Sequence, residues 1–220
     1  MSVKKLLQQL SDLPNAEVSM TEKQLSIISA AIEIFSEKGF ASTSTSEIAQ
    51  KANVAEGTIF RHYKTKKDLL LTIPDYVSKL PVSKNLLKDI NTIIRDPDAK
   101  FEDLLHVIIQ NRKNFATANM TLIKVLFQEL PFHPELRVKL LSLLVPIMKN
   151  FAEAIDVFKE RGQIIDLPTS TIVNLIISSM MGYIFTHYVI PFEQDWDHEK
   201  EIEQFIRYIM NGIGKSNQKG

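Results

Sequence analysis

Apolar residues recur every three or four positions along most of the chain, which is the spacing of one face of an α-helix. Between residues 21 and 77 they form four short segments, and from residue 83 onward they form longer ones. Pro and Gly interrupt helices, and the breaks fall at Asp96-Pro97, 131–134, Gly162 and Pro168. No strand period appears in the sequence. We therefore expect an all-α protein with a short N-terminal arm at 1–20, a small helical domain at 21–66 and a larger one at 67–220.

Capping residues mark the helix ends in the first third of the chain. Ser44 followed by Glu47 has the spacing of a capping box, in which each residue binds the backbone N–H of the other. Before Ser44, Gly39 is placed to end an earlier helix in a left-handed Schellman turn. After the helix that Ser44 begins, Asn53 can adopt the left-handed conformation that reverses the chain. A further helix then runs roughly from residue 55 to 63. Two short helices across a tight turn form a helix-turn-helix, whose second helix can enter a DNA major groove.

The helical register gives the helix at 55–63, the second of the helix-turn-helix, an inner and an outer face. Ile59 and Tyr63 turn inward. Gly57 is informative because glycine inside a helix costs about 1 kcal/mol relative to alanine, which is tolerated where a neighbour approaches the backbone closely or near a helix start. The candidate readers of DNA on the outer face are Glu56, Gly57, Thr58, Phe60, Arg61 and His62.

Charge narrows the way in which DNA could be bound. The chain has 26 basic and 26 acidic residues and a net charge of +0, so bulk attraction to a polyanion is not expected and phosphate contacts must be local. A basic cluster falls just where the second helix ends: Arg61, His62, Lys64, Lys66 and Lys67. Such a cluster in isolation is commonly a solvated charge run. Its position after a helix-turn-helix favours phosphate contact.

This segment contains a series of short motifs, each of which occurs once. In chain order they are Gly39-Phe40, Thr43-Ser44, Ile48-Ala49, Ala52-Asn53-Val54, Gly57-Thr58, His62-Tyr63 and Lys66-Lys67-Asp68-Leu69. In type and spacing they resemble the DNA-binding domain of the tetracycline-repressor (TetR) family of bacterial transcription regulators. The sequence departs from that family at three positions: Lys67 replaces the usual Glu and adds a positive charge, and Ala55 and Phe60 differ as well. Ala55 stands where a Ser able to cap and bind phosphate is usual, and Phe60 lacks the hydroxyl of the usual Tyr.

The resemblance implies roles for individual residues. Thr43, Thr58, His62 and Lys66 would touch phosphates or position the helix, and Arg61 would contact a base or the backbone. Glu56 could accept from a cytosine amino group or repel other sequences. The full set predicted to bind DNA is Thr43, Ser44, Glu56, Gly57, Thr58, Phe60, Arg61, His62, Lys64 and Lys66.

The larger domain of such a relative binds a small hydrophobic or amphipathic effector, and its last two helices build a homodimer. Polar or polarizable residues among apolar helices are the candidates for the effector site, although each could equally be a satisfied core residue: His106, Gln110, Phe115, Glu129, Met148, Phe151, Tyr183 and His187. The predicted dimer interface comprises Ser178, Gly182, Phe205 and Ile209. The same apolar faces would serve a monomeric core. Two-fold symmetry would imply a palindromic operator.

Residues 167–192 contain no charged side chain and are long enough to cross a bilayer. Polar residues such as Asn174 and His187 interrupt the stretch, and its flanks are acidic rather than basic. These details favour a helix buried in a protein or an oligomer over a membrane span. The chain has no cysteine and its first residues lack an apolar signal core, so we expect a cytoplasmic protein.

Two other function classes were weighed. An enzyme could use Glu102 or Asp103 with His106, but a di-iron bundle needs a second Glu-x-x-His pair, and no zinc, thiol, serine-elbow or phosphate-loop motif is present. We therefore expect no catalytic residues, no metal and no cofactor. Alternatively, a helix-turn-helix protein with Ala55 and Phe60 at those positions could serve as a protein-interaction module that does not bind specific DNA.

Overall fold

The computed structural model describes residues 20–78, 81–189 and 197–213, and every regular element within these ranges is helical. The all-α prediction is confirmed. The predicted arm lies outside the described residues except for Met20. The helices are α1 Glu22–Lys38, α2 Thr45–Lys51, α3 Glu56–His62, α4 Lys66–Ser78, α5 Pro81–Arg95, α6 Phe101–Ala118, α7 Met120–Glu129, α8 Pro134–Glu160, α9 Thr169–Ile184 and α10 His198–Ile213, and a π-helical turn, Phe185–Val189, follows α9.

The chain divides into two compact units. Among the described residues the first, called the head unit, contains 20–78 and 118–144, and the second, called the large unit, contains 81–117, 145–189 and 197–213. α7 and the first part of α8 therefore belong to the head unit, although they follow α6 of the large unit in sequence. The functional domains at 21–66 and 67–220 stay a prediction, because compactness does not reveal what each segment binds.

Both capping boxes that open the first two helices are present. The Ser44 hydroxyl accepts from the Glu47 backbone N–H at 3.2 Å, and the Glu47 carboxylate accepts from the Ser44 N–H at 2.8 Å. Thr21 and Gln24 form the corresponding box at α1. Lys38 also pairs with Glu47, and this hydrogen bond, with those from Ser44, lowers the pKa of the Glu47 carboxyl to about 2.

Gly39 ends α1 with a positive φ of 81°, which glycine adopts without the steric penalty of a Cβ. Its ψ of 161° lies outside the left-handed helical region, so the predicted Schellman turn is wrong in detail. The expected apolar contact is present, because the rings of Phe35 and Phe40 meet edge to face with centroids 5.4 Å apart.

The reversal between α2 and α3 depends on Asn53, whose φ is 54°. The Val54 N–H then donates to the Ala49 carbonyl at 3.0 Å. Ala55 occupies the N-cap position of α3 and offers no side-chain hydrogen bond to the helix. The candidate reading helix is therefore less well capped than α2.

The head unit buries the inner face of α3. Ile59 is 1% exposed and Tyr63 is 6% exposed, which confirms that these two side chains point inward. Burial raises the pKa of the Tyr63 hydroxyl to about 12. In the same unit α1 packs against α2, α4 and α7, so its apolar residues, among them Ile28, Ile32 and Phe35, form the centre of the core.

Glu129 lies at the end of α7 in the head unit, not in the large unit where an effector site was expected. The side chain is buried, and its Oε1 accepts from the Phe40 backbone N–H at 3.1 Å. Its Oε2 lies 3.3 Å from Nε2 of His133, whose ring meets the Phe40 ring edge to face. The contacts assign Glu129 to the support of the α1–α2 connection, because α7 packs on α1.

The large unit has one apolar cluster built by α5, α6, the later part of α8, α9 and α10. Ile209 is a core member and is 5% exposed, and Phe205 packs against the same cluster. The apolar face of α10 is therefore used within its own unit. The Ile165 N–H donates to the Ile213 carbonyl at 2.9 Å and fixes the end of α10.

Only part of α9 is buried within the chain, although its composition is apolar. The segment Thr169–His187 is long and apolar enough to cross a membrane, yet only 22% of its most apolar window is buried, and one such helix is weak evidence for a span. The expectation is burial in a protein or an oligomer: one face of the helix is buried within this chain, and burial of the other face stays a prediction. Apart from Ser170 in the first turn, its exposed residues fall on one uncharged face, called the α9 face, which consists of Thr171, Asn174, Leu175, Ser178, Met181, Gly182 and Phe185.

The missing cap of α3 leads to a first prediction. Ala55→Ser supplies a hydroxyl that can accept from the N–H groups of the first turn, and it should stabilise α3 by about 1 kcal/mol. Amide hydrogen exchange of residues 57–59 should slow. Ser44→Ala is the matched control, because it removes an existing cap and should accelerate exchange at Glu47 by a similar factor. Unchanged α3 protection in Ala55→Ser, beside a clear Ser44→Ala effect, would contradict the capping argument.

A second prediction concerns Glu129. Glu129→Ala leaves the Phe40 N–H without its acceptor and should destabilise the head unit by about 1–3 kcal/mol, whereas Glu129→Gln keeps an acceptor and should lose less. Guanidinium unfolding followed by circular dichroism measures both. Glu203→Ala, at an exposed position of α10, is the control. Equal stability of Glu129→Ala and Glu203→Ala would show that the buried carboxylate contributes nothing.

Candidate nucleic-acid interface

The outer face of α3 is open to solvent. Glu56, Gly57 and Arg61 are exposed, Phe60 is 49% exposed, and Thr58 and His62 are half-buried. A Cβ built on Gly57 would meet no atom within 4 Å, so packing inside the chain does not explain the glycine. The six candidate DNA-contacting residues therefore share one helix, and four of them are exposed to solvent.

Glu56 is tied to the first residue of α2. Its Oε1 accepts from the Thr45 hydroxyl at 2.6 Å, which links the starts of the two helices. The carboxylate thus serves the helix-turn-helix geometry in this structure. Whether it also accepts from a base stays a prediction.

Thr43 and Lys66 lie at the turn before α2 and use their polar groups within the protein. Thr43 is 4% exposed, and its hydroxyl donates to the Gly39 carbonyl at 2.8 Å. The Lys66 ammonium donates to the carbonyls of Phe40 and Thr43 at 2.6 Å each and to that of Ala41 at 3.3 Å. Of the two roles implied for these residues, phosphate contact and positioning, the geometry favours positioning.

The remaining members of the basic cluster divide into paired and available cations. Lys67 pairs with Glu135 at 2.7 Å, so part of its charge is neutralised within the head unit. Arg61 and Lys64 are exposed, and neither has an ion-pair or hydrogen-bond partner in the described part of the chain. Ser44 is exposed as well, but its hydroxyl serves the cap of α2.

The residues predicted to meet an effector are spread over the large unit, apart from Glu129. Phe151 belongs to the core, Met148 packs against it, and His106 is exposed. Tyr183 and His187 stack with ring centroids 4.0 Å apart, and the Tyr183 ring lies 5.7 Å from that of Phe205. Gln110 and Phe115 are half-buried on α6. Among the described residues no three His, Asp or Glu side chains come together as a metal site.

Sequence reasoning missed two supports of the interface, Phe40 and Glu135. The Lys66 ammonium lies 4.5 Å from the centre of the Phe40 ring, a cation–π contact that holds the lysine over the turn. Lys66 is 26 residues from Phe40 and Lys67 is 68 residues from Glu135. No local sequence signal reports pairs at such separations.

Comparison with known proteins places the helix-turn-helix in a family. Residues 27–73 match the family described as "Bacterial regulatory proteins, tetR family". An uncharacterized HTH-type transcriptional regulator, YerO of Bacillus subtilis, is 38% identical over 71 residues, which cover 32% of this chain and 24% of that protein.

The fold has counterparts over nearly the whole chain. The fatty acid degradation regulator FadR from Bacillus halodurans aligns with a TM-score of 0.70 at 20% identity and covers 89% of this chain and 98% of its own. FadR from Bacillus subtilis, solved in complex with stearoyl-CoA, aligns with a TM-score of 0.67 at 21% identity and covers 86% and 98%. At this identity the likeness shows the fold alone.

The sequence match is confined to the head. The chain spans about a quarter of the length of the curated relatives that it matches, 24%, 26% and 23% for the first three. The matched segment contains the capped α2, the Asn53 reversal and the outward face of α3, and the fold around it is that of solved tetR-family structures. Residues 27–73 therefore carry the helix-turn-helix of the tetR family of bacterial regulatory proteins.

Proposed function

We propose that this protein is a transcriptional regulator, acting as a repressor, that binds a double-stranded DNA operator through α3. The observation that carries the proposal is the orientation of α3, whose inner side chains Ile59 and Tyr63 are buried while Gly57, Phe60 and Arg61 face solvent. A helix held in this way can present side chains to base edges in a major groove. We also propose a cytoplasmic location, where such an operator would be reached.

Local charge supports the same role. With a net charge of +0, affinity for phosphates depends on the few cations that the fold leaves available. Arg61 and Lys64 are such cations, at the end of α3 and just after it. Arg61 lies on the reading helix and can meet a base edge, and Lys64 lies beyond the helix end and suits a phosphate.

The protein acts as a homodimer in this proposal. The α9 face is uncharged, and it carries the small residues Ser178 and Gly182 between the exposed apolar residues Leu175, Met181 and Phe185. Small residues allow a second backbone to approach closely, and a two-fold axis brings the same face of both copies together. Of the four residues predicted for the interface, Ser178 and Gly182 are retained, while Phe205 and Ile209 serve the core of the large unit.

A small hydrophobic or amphipathic effector is proposed to release the operator. The likeness to a regulator solved with stearoyl-CoA supports an amphipathic ligand, and the large unit supplies the apolar helices that such a ligand needs. Release requires only that the effector bind better to a conformation that misfits the operator. Typical coupling free energies of about 1 to 3 kcal/mol change operator affinity roughly 5- to 150-fold.

DNA binding is tested by fluorescence anisotropy with duplex DNA from upstream of the gene, across a range of salt. Lys64→Ala should weaken all sequences alike and reduce the salt slope by about one phosphate contact, whereas Arg61→Ala should relax sequence preference. Lys66→Ala should instead lower stability by about 1–3 kcal/mol, because three carbonyls lose their donor.

Lys88→Ala, at an exposed position of α5, is the matched control and should change neither the salt slope nor the stability. A protein that ignores duplex DNA even at low salt would overturn the proposal and leave the protein-interaction module as the alternative. An Lys66→Ala variant that is fully stable but has a flattened salt slope would return Lys66 to phosphate contact.

The dimer is tested by Gly182→Arg. A Cβ at Gly182 would meet no atom of its own chain within 4 Å, so folding should be unaffected, while two arginines at a two-fold interface should repel each other. We expect the wild type to sediment as a dimer at micromolar concentration and Gly182→Arg as a monomer. Asn91→Arg, exposed on α5, should remain dimeric. A dimeric Gly182→Arg would remove this face from the interface.

A further inference from the structure

Arg112 interrupts the apolar stripe of α6. Counting by helical turns, it follows Leu105 and Ile108 and precedes Ala116, all of which are buried. Arg112 itself is half-buried, and desolvation of the guanidinium lowers its pKa. Arginine remains protonated in proteins, so a full positive charge stands at a position where the helix otherwise places apolar groups.

The guanidinium has few partners among the residues that the structure describes. Its Nη2 donates to the side-chain oxygen of the adjacent Asn111 at 2.8 Å, and its Cζ lies 5.8 Å from the centre of the Phe115 ring. Its Nε is buried with no hydrogen-bond partner, and no carboxylate of residues 20–78, 81–189 or 197–213 forms an ion pair with it. Only a small part of its five-donor fork is therefore used.

Two other cations of the large unit do have partners. Lys113 pairs with Glu199 at 3.3 Å, and Arg161 donates to the carbonyls of Ile94 at 2.8 Å and Asp96 at 3.0 Å. A cation removed from water without a partner opposes folding, and buried charges are normally paired. The charge of Arg112, with which no carboxylate of the described residues pairs, therefore needs an explanation other than stability.

We propose that Arg112 binds the negatively charged group of an anionic amphipathic effector, a carboxylate or a phosphate. The inference rests on the proposed effector response and names the chemistry of that ligand. A guanidinium matches both groups with two parallel N–H···O bonds, and the apolar body of the ligand would lie beside the half-buried Phe115 ring, which is next to the guanidinium. A cationic ligand would be repelled, and a neutral one would leave the charge unpaired.

The test compares ligands with the same ten-carbon chain: decanoate, decan-1-ol, decylammonium and decanoyl-CoA. Titration calorimetry with the full-length protein, below the micelle concentration, should show an anionic probe binding about 10- to 150-fold more tightly than decan-1-ol. Decanoate and decanoyl-CoA distinguish a carboxylate from a phosphate-bearing carrier as the source of the anion. Binding of either one with this preference supports the proposal.

Arg112→Gln should abolish the preference for the anion, and Arg112→Lys should keep part of it because the charge remains without the fork. Arg207→Gln, exposed on α10, is the matched control. The unliganded Arg112→Gln protein should melt no lower than the wild type, since no carboxylate of the described residues pairs with the charge it removes, and this keeps the variant interpretable.

Three results would overturn the inference: no binding of either anionic probe, equal affinity for decan-1-ol, or a preference for the anion that survives in Arg112→Gln. Operator anisotropy on the same samples separates this inference from the proposed function. Operator binding without a preference for anions removes only the role of Arg112. A preference for anions lost in Arg112→Gln, in a protein that ignores DNA, retains that role and removes the regulator.

Discussion

The connection between α1 and α2 must have its backbone polar groups satisfied, and the rest of the head unit depends on how this is done. The buried Glu129 carboxylate accepts from the Phe40 N–H, and the Lys66 ammonium donates to three carbonyls of the same connection. An unpaired buried backbone group would cost about 1–3 kcal/mol. These contacts fix the direction in which α2 leaves α1, and α3 is built on α2.

The positions of individual charged side chains, rather than the net charge, decide how this protein could meet DNA. Equal numbers of acidic and basic residues leave no overall attraction to DNA. Within the cluster after α3, Lys66 and Lys67 are used by the turn and by Glu135, while Arg61 and Lys64 remain available. With only two free cations in the described cluster beside α3, DNA affinity would rely on the fit of α3, which makes the rigidity of the head part of the binding mechanism.

The large unit shows how similar apolar patterns can serve different purposes. α10 places Ile202, Ile206 and Ile209 in the core, whereas α9 keeps Leu175 and Met181 exposed beside Ser178 and Gly182. Hydrophobic periodicity identifies an apolar face but does not say what covers it. Arg112 is the converse case, because a charged residue occupies a position that the same periodicity assigns to the core.

Local interactions determined much of this protein from its sequence: the helices of the head, the two capping boxes, the Asn53 reversal and the inward direction of Ile59 and Tyr63. Each depends on residues no more than five positions apart, so the sequence contains the whole interaction. Only the tertiary structure decided that Glu129 supports the turn, that Lys66 faces carbonyls, that Ile209 is core while one face of α9 is exposed, and that no carboxylate of the described residues pairs with Arg112. Those outcomes depend on partners tens of residues away, and their pairing is set by how the helices pack.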